Sequence, residues 1–79
     1  MAEDLLNIIL DKIKEVSFKK VKPEDELLKS GILTSILVVD LTNALEEELG
    51  ISVPFNEINA ENFKDALTIQ QLLITKIQN

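Results

Sequence analysis

An all-α fold, a small bundle of three main helices plus one short helix, is predicted from the pattern of apolar and turn-forming residues. Apolar side chains recur at three- and four-residue steps over separate segments of the chain. Both prolines (Pro23, Pro54) and both glycines (Gly31, Gly50) fall between those segments, where they punctuate rather than interrupt. No pair of alternating strands with a hairpin signal is present.

The first helix is expected over 3–16, with Leu6, Ile9, Leu10, Ile13 and Val16 on one face. Glu3 and Asp4 fall in its first turn, where carboxylates favour the positive end of the helix dipole. Lys19, Lys20 and Lys22 follow its end. Residues 17–33 form a long connection whose scattered apolar side chains, Val21, Leu27, Leu28, Ile32 and Leu33, imply a loop packed on the bundle. Pro23 forbids an intact helix there, and Gly31 offers a turn with positive φ.

The second helix is expected over 35–49, with Thr34 as N-cap and Gly50 as C-terminal stop. Its buried stripe is read as Leu37, Leu41, Ala44, Leu45 and Leu49. Val38, Val39 and Thr42 are weak helix formers, so a strand over 36–41 is the rival. The continued helical period of LTNALEEELG argues against it. A short helical turn is placed near 57–63. The last helix spans 68–78, with Thr68 and Gln71 as a capping box and Ile69, Leu72, Leu73 and Ile77 inward. Phe18, Phe55 and Phe63 are expected in the core or as loop anchors.

Composition narrows the function. The chain has 79 residues, which bounds it to one domain over 1–79. It contains no Cys and no His, so soft zinc ligands, disulfides and the familiar nucleophile–base pairs are missing. An enzyme acting by itself is not expected, and no paired acids stand out as a carboxylate hydrolase site. Fourteen acidic against eight basic residues give a net charge of −6, and all the basic residues are Lys. Such a field repels a phosphate backbone and attracts basic protein surfaces. Nucleic acid is therefore not an expected partner. Neither a signal-peptide n-region nor an apolar run of about 18–20 residues is present. A cytoplasmic monomer is expected, and the short tails favour a free-standing protein.

The informative feature is a serine where a helix begins. Gly31-Ile32-Leu33-Thr34-Ser35-Ile36 runs from a turn into the second helix. Ser35 would lie beside unpaired N–H groups and the positive dipole end, a place that suits an attached phosphate. Asp40, Glu46, Glu47 and Glu48 follow on the same helix as an acidic face. Taken alone, such a serine is more often a helix-start residue than a prosthetic site, and the acids are by default a solvated helix surface. Ile36 and Val39 flank Ser35 outside the main stripe, as a small apolar rim.

The stretch LLKSGILTSILVVDLTNALEEELGISVPFNEINAENF resembles the centre of an acyl carrier or peptidyl carrier protein. The resemblance extends over the whole length. Its Gly-Ile-Leu-x-Ser and Ile-x-Val-Pro elements look most similar to stand-alone carriers such as D-alanyl and other aminoacyl carriers. It implies 4'-phosphopantetheine attached covalently to Ser35, transferred from coenzyme A by a phosphopantetheinyl transferase. It also implies a biosynthetic role, with an acyl- or aminoacyl-loading ligase and downstream transferases or synthases as partners. Ile36, Val39, Asp40, Glu46 and Glu47 would then dock onto basic partner patches.

One position departs from the family pattern. An Asp usually precedes the serine, and here that position is Thr34. Threonine keeps the helix cap and loses the charge. A tolerant transferase, slow loading, or a carrier-fold interaction module without an arm are each compatible with it.

Overall fold

The structure, a computed structural model, describes residues 2–77, with side chains from Leu5 onward. Three α-helices, α1 (Ala2–Ser17), α2 (Ser35–Leu49) and α3 (Ala66–Ile77), are joined by a long loop and a short 3-10 turn (Phe55–Glu57). No strand occurs among the described residues, so the rival strand at 36–41 is excluded. α1 is the hub, packing against both α2 and α3.

The core draws on every segment. Leu5, Ile9 and Ile13 come from α1, Val38, Leu41 and Leu45 from α2, and Ala66, Ile69 and Leu73 from α3. Val21, Leu27, Leu33, Val53 and Phe63 enter from the connections. The 18–34 loop is therefore part of the fold. Leu27 donates its N–H to the Lys64 carbonyl at 2.8 Å, and Leu67 donates to that of Pro23 at 3.3 Å. Leu33 donates to the Leu27 carbonyl at 2.9 Å, closing the loop on itself just before α2. Gly31 (φ 81°) makes the reversal.

Several expected faces are shifted. On α1, Leu5 is buried, while Leu6, Leu10 and Val16 are half-buried flanks. On α2 the buried stripe is Val38, Leu41, Thr42 and Leu45, leaving Leu37, Ala44 and Leu49 half-buried. The stripe follows the helical period through 38, 41, 42 and 45. Thr42 can be buried because its hydroxyl donates to the Val38 carbonyl at 2.8 Å. The Glu3 and Asp4 side chains lie outside the described residues.

Two boundaries move for identifiable reasons. The short helical element lies at Phe55–Glu57, not 57–63. Asparagine side chains take over beyond it. Asn59 Oδ1 accepts from Asn62 N–H at 2.9 Å, and Asn62 Nδ2 donates to the Glu57 carbonyl at 2.8 Å. α3 begins at Ala66, two residues early, because Asp65 is the cap. Its Oδ1 accepts from the Thr68 N–H at 2.8 Å and from the Thr68 hydroxyl at 2.7 Å. Thr68 is thus held by the cap and does not act as one. Ala66 joins the inner face, Leu72 is half-buried, and Ile77 is 47 % exposed. Residue 78 lies outside the described residues.

Of the three phenylalanines, only Phe63 is in the core. Phe18 and Phe55 are 90 % and 84 % exposed.

Candidate functional site

Ser35 is the first residue of α2. The turn through Gly31 and the buried anchor Leu33 deliver the chain to that point. Thr34 then caps the helix in extended conformation (φ −98°, ψ 174°), its Oγ1 accepting from the Leu37 N–H at 3.3 Å. Its own carbonyl accepts from Val38 N–H at 2.9 Å. The cap meets the orphan amide of Leu37, whereas those of Ser35 and Ile36 have no intrahelical acceptor.

Ser35 is exposed, and among the described residues its hydroxyl makes no hydrogen bond. The oxygen is therefore free to act as an acceptor of a transferred group. No acid occupies the first turn of α2, so the dipole's positive end is unopposed by a neighbouring charge. A phosphodiester on this oxygen fits the local electrostatics.

The candidate docking residues occupy distinct surroundings. Ile36 (74 % exposed) and Val39 (45 % exposed) stand outside the buried stripe and flank Ser35 on the helix surface. Asp40 and Glu47 are exposed. Glu46 is half-buried, and its Oε2 accepts from the Val53 N–H at 2.8 Å, tying the loop after α2 to the helix. Glu48 lies 3.3 Å from Lys12 of α1, which also approaches Glu15 at 3.4 Å. The hydrogen bond that the Lys12 ammonium donates to Glu48, then the charge of Glu15, hold that ammonium above its ordinary pKa. The acidic face is thus not uniform. Asp40 and Glu47 are the acids on it with no ion pair or hydrogen bond among the described residues. The sequence carried no sign of the Glu46 and Glu48 contacts, because both depend on tertiary neighbours.

Residues 3–73 match the family model described as the phosphopantetheine attachment site. The chain belongs to this carrier-protein family. The carrier is also similar to Aminoacyl carrier protein 1 of Bradyrhizobium diazoefficiens, with 34 % identity over 58 residues. That alignment covers 73 % of this chain and 63 % of the relative's length. No solved structure matches the carrier. The helical fold agrees with the family expected from the Gly31–Ser35 and Ile51–Pro54 motifs, and phosphopantetheine is the prosthetic group of that family. Among the described residues no helix is long and apolar enough to cross a membrane.

Proposed function

We propose that this carrier holds an acyl or aminoacyl group on a 4'-phosphopantetheine arm attached to Ser35 and presents it to partner enzymes. The observation that carries the proposal is the exposed, unengaged Ser35 hydroxyl at the start of α2, within a chain matched to the attachment-site family over 3–73. When bound, the arm supplies a thiol that holds the cargo as a thioester. Residues 1–79 act as one carrier domain, and the chemistry on the cargo belongs to the partners. The likeness to an aminoacyl carrier protein favours an amino acid as cargo.

The protein's own residues perform three tasks. Thr34 and the loop behind it fix the start of α2, so Ser35 faces solvent in one geometry. The unpaired amides of the first turn and the helix dipole favour the phosphate once attached. Ile36, Val39, Asp40 and Glu47 meet basic partner surfaces, in contacts that are fast and weakened by salt, while the Glu46 carboxylate is engaged by the Val53 N–H. Tethering raises the effective concentration of the cargo at each active site.

Incubation with coenzyme A, Mg²⁺ and a broad-specificity phosphopantetheinyl transferase tests the reading. A gain of one phosphopantetheine in intact mass, absent from Ser35→Ala, is expected. Thr34 in place of the family acid supports a second reading, an arm-less interaction module. Failure of loading by every transferase tried would favour that reading.

A further inference from the structure

Phe18 has no role in the core or in the site on α2. Its ring is 90 % exposed, and its backbone is left-handed (φ 60°), the one positive φ at a described non-glycine residue. Left-handed backbone is costly for a bulky side chain, and glycine or asparagine normally fills this position after a helix. The turn is nevertheless well built. Phe18 donates its N–H to the Lys14 carbonyl at 2.8 Å. The Ser17 hydroxyl donates to the Ile13 carbonyl at 2.6 Å and accepts from the Lys19 N–H at 3.2 Å. Val21, buried, pins the chain on the far side. The ring is held out by a fixed turn, and hydrophobic burial supplies no reason for it.

The charge around this turn opposes that of the molecule. Lys14, Lys19, Lys20 and Lys22 are all exposed, and none forms an ion pair among the described residues. Set against Glu15, they leave +3 on residues 14–22 and −9 on the rest of the chain. An exposed aromatic with four unpaired lysines within four residues of it along the chain offers an apolar anchor, and the lysine charges can steer an acidic surface towards it.

We propose that Phe18, with Lys14, Lys19, Lys20 and Lys22, forms a second docking surface for an acidic protein partner that presents an apolar helix stripe bordered by carboxylates. Charge complementarity selects this occupant. An anionic membrane would attract the +3 turn and, being extended, repel the −9 remainder, whereas a protein surface meets the turn locally. The surface lies at the end of α1, on a different element from Ser35, and does not depend on arm attachment. A second copy is the built-in rival, because α2 itself presents Ile36 and Val39 beside Asp40 and Glu47.

The test uses the 79-residue chain, isotopically labelled, and a synthetic helical peptide with glutamates flanking a leucine stripe as probe. Amide shifts are expected over 14–22, weakened by salt and lost in Phe18→Ser and in Lys19→Glu/Lys20→Glu. The melting temperature of Phe18→Gly should rise by a few degrees, since glycine relieves the left-handed backbone and no packing is lost. A fall in melting temperature would assign Phe18 to packing and overturn the proposal. So would shifts that persist in Phe18→Ser, or no shifts over 14–22. Co-sedimentation with phosphatidylserine-containing vesicles would overturn it in favour of a membrane. Self-association abolished by Phe18→Ser would overturn it in favour of a second copy.

Discussion

Glu46 Oε2 accepts the Val53 N–H at 2.8 Å, so one acid on the exposed helix of this carrier is also a fastener for the loop that follows it. Its neighbour Glu47 is exposed and has no such contact among the described residues. Adjacent carboxylates therefore separate fold from docking, and each can be tested without the other.

Glu46→Ala should destabilise the protein by about 1.5–3 kcal/mol, the usual worth of a hydrogen bond to a charged acceptor. Glu47→Ala should change stability by no more than about 0.5 kcal/mol. Urea denaturation of the two variants makes the comparison. Equal stabilities would mean that the Glu46–Val53 contact contributes nothing net.

Docking is tested cleanly with Asp40→Lys/Glu47→Lys, which leaves the Glu46 contact in place. The association rate with a phosphopantetheinyl transferase should fall, on the order of tenfold at low salt, and its salt dependence should flatten. Stopped-flow binding at low and high salt reads both. Unchanged rates would assign these acids to a solvated surface.

The caps give a further contrast. Asp65→Ala should cost about 1 kcal/mol, because the Thr68 N–H loses its acceptor at the start of α3. In the core, Leu45→Ala should cost about 2–5 kcal/mol, since Leu45 is fully buried between the helices. Ser35→Ala should leave the thermal midpoint nearly unchanged, because the hydroxyl is exposed. Loss of folding in Ser35→Ala would make the serine structural.

Much of this architecture was legible in the residues. The period of apolar side chains located three helices, and Gly50 (φ 65°) and Thr34 ended and began α2 as their chemistry requires. The packed loop was legible from Val21, Leu27 and Leu33. Face assignments were less secure where apolar residues were too numerous to define one stripe. On α2, Leu37 competes with Val38, and only packing against α1 decides. The α3 start was misread because Asp65 and Thr68 are both good caps, and residue type alone does not rank them. Phe18 and Phe55 were misplaced for a different reason. Aromatic residues usually mark burial, and exposure kept for a turn or a partner leaves no local signature. In the candidate site, the position of Ser35 and the exposure of Ile36 and Val39 were foreseeable. The Glu46–Val53 and Lys12–Glu48 contacts, which span separate segments, were not.

Thr34 tests how the site is loaded. Threonine already caps α2, and aspartate caps equally well, so Thr34→Asp should keep the fold. By restoring the family's acid it should also speed phosphopantetheine transfer by a generic transferase. Time courses of intact mass for the wild-type chain and Thr34→Asp give the comparison. Equal rates would show that the neutral residue is without consequence for loading.

The central claim is that Ser35 carries the arm, and fragment-ion mass spectrometry of the chain after treatment with transferase and coenzyme A tests it most directly. The account predicts a single phosphopantetheine increment, located on the fragment ions that contain Ser35 and on no other hydroxyl. An increment placed on Thr34, Ser30 or Ser52, or one that persists in Ser35→Ala, would contradict it.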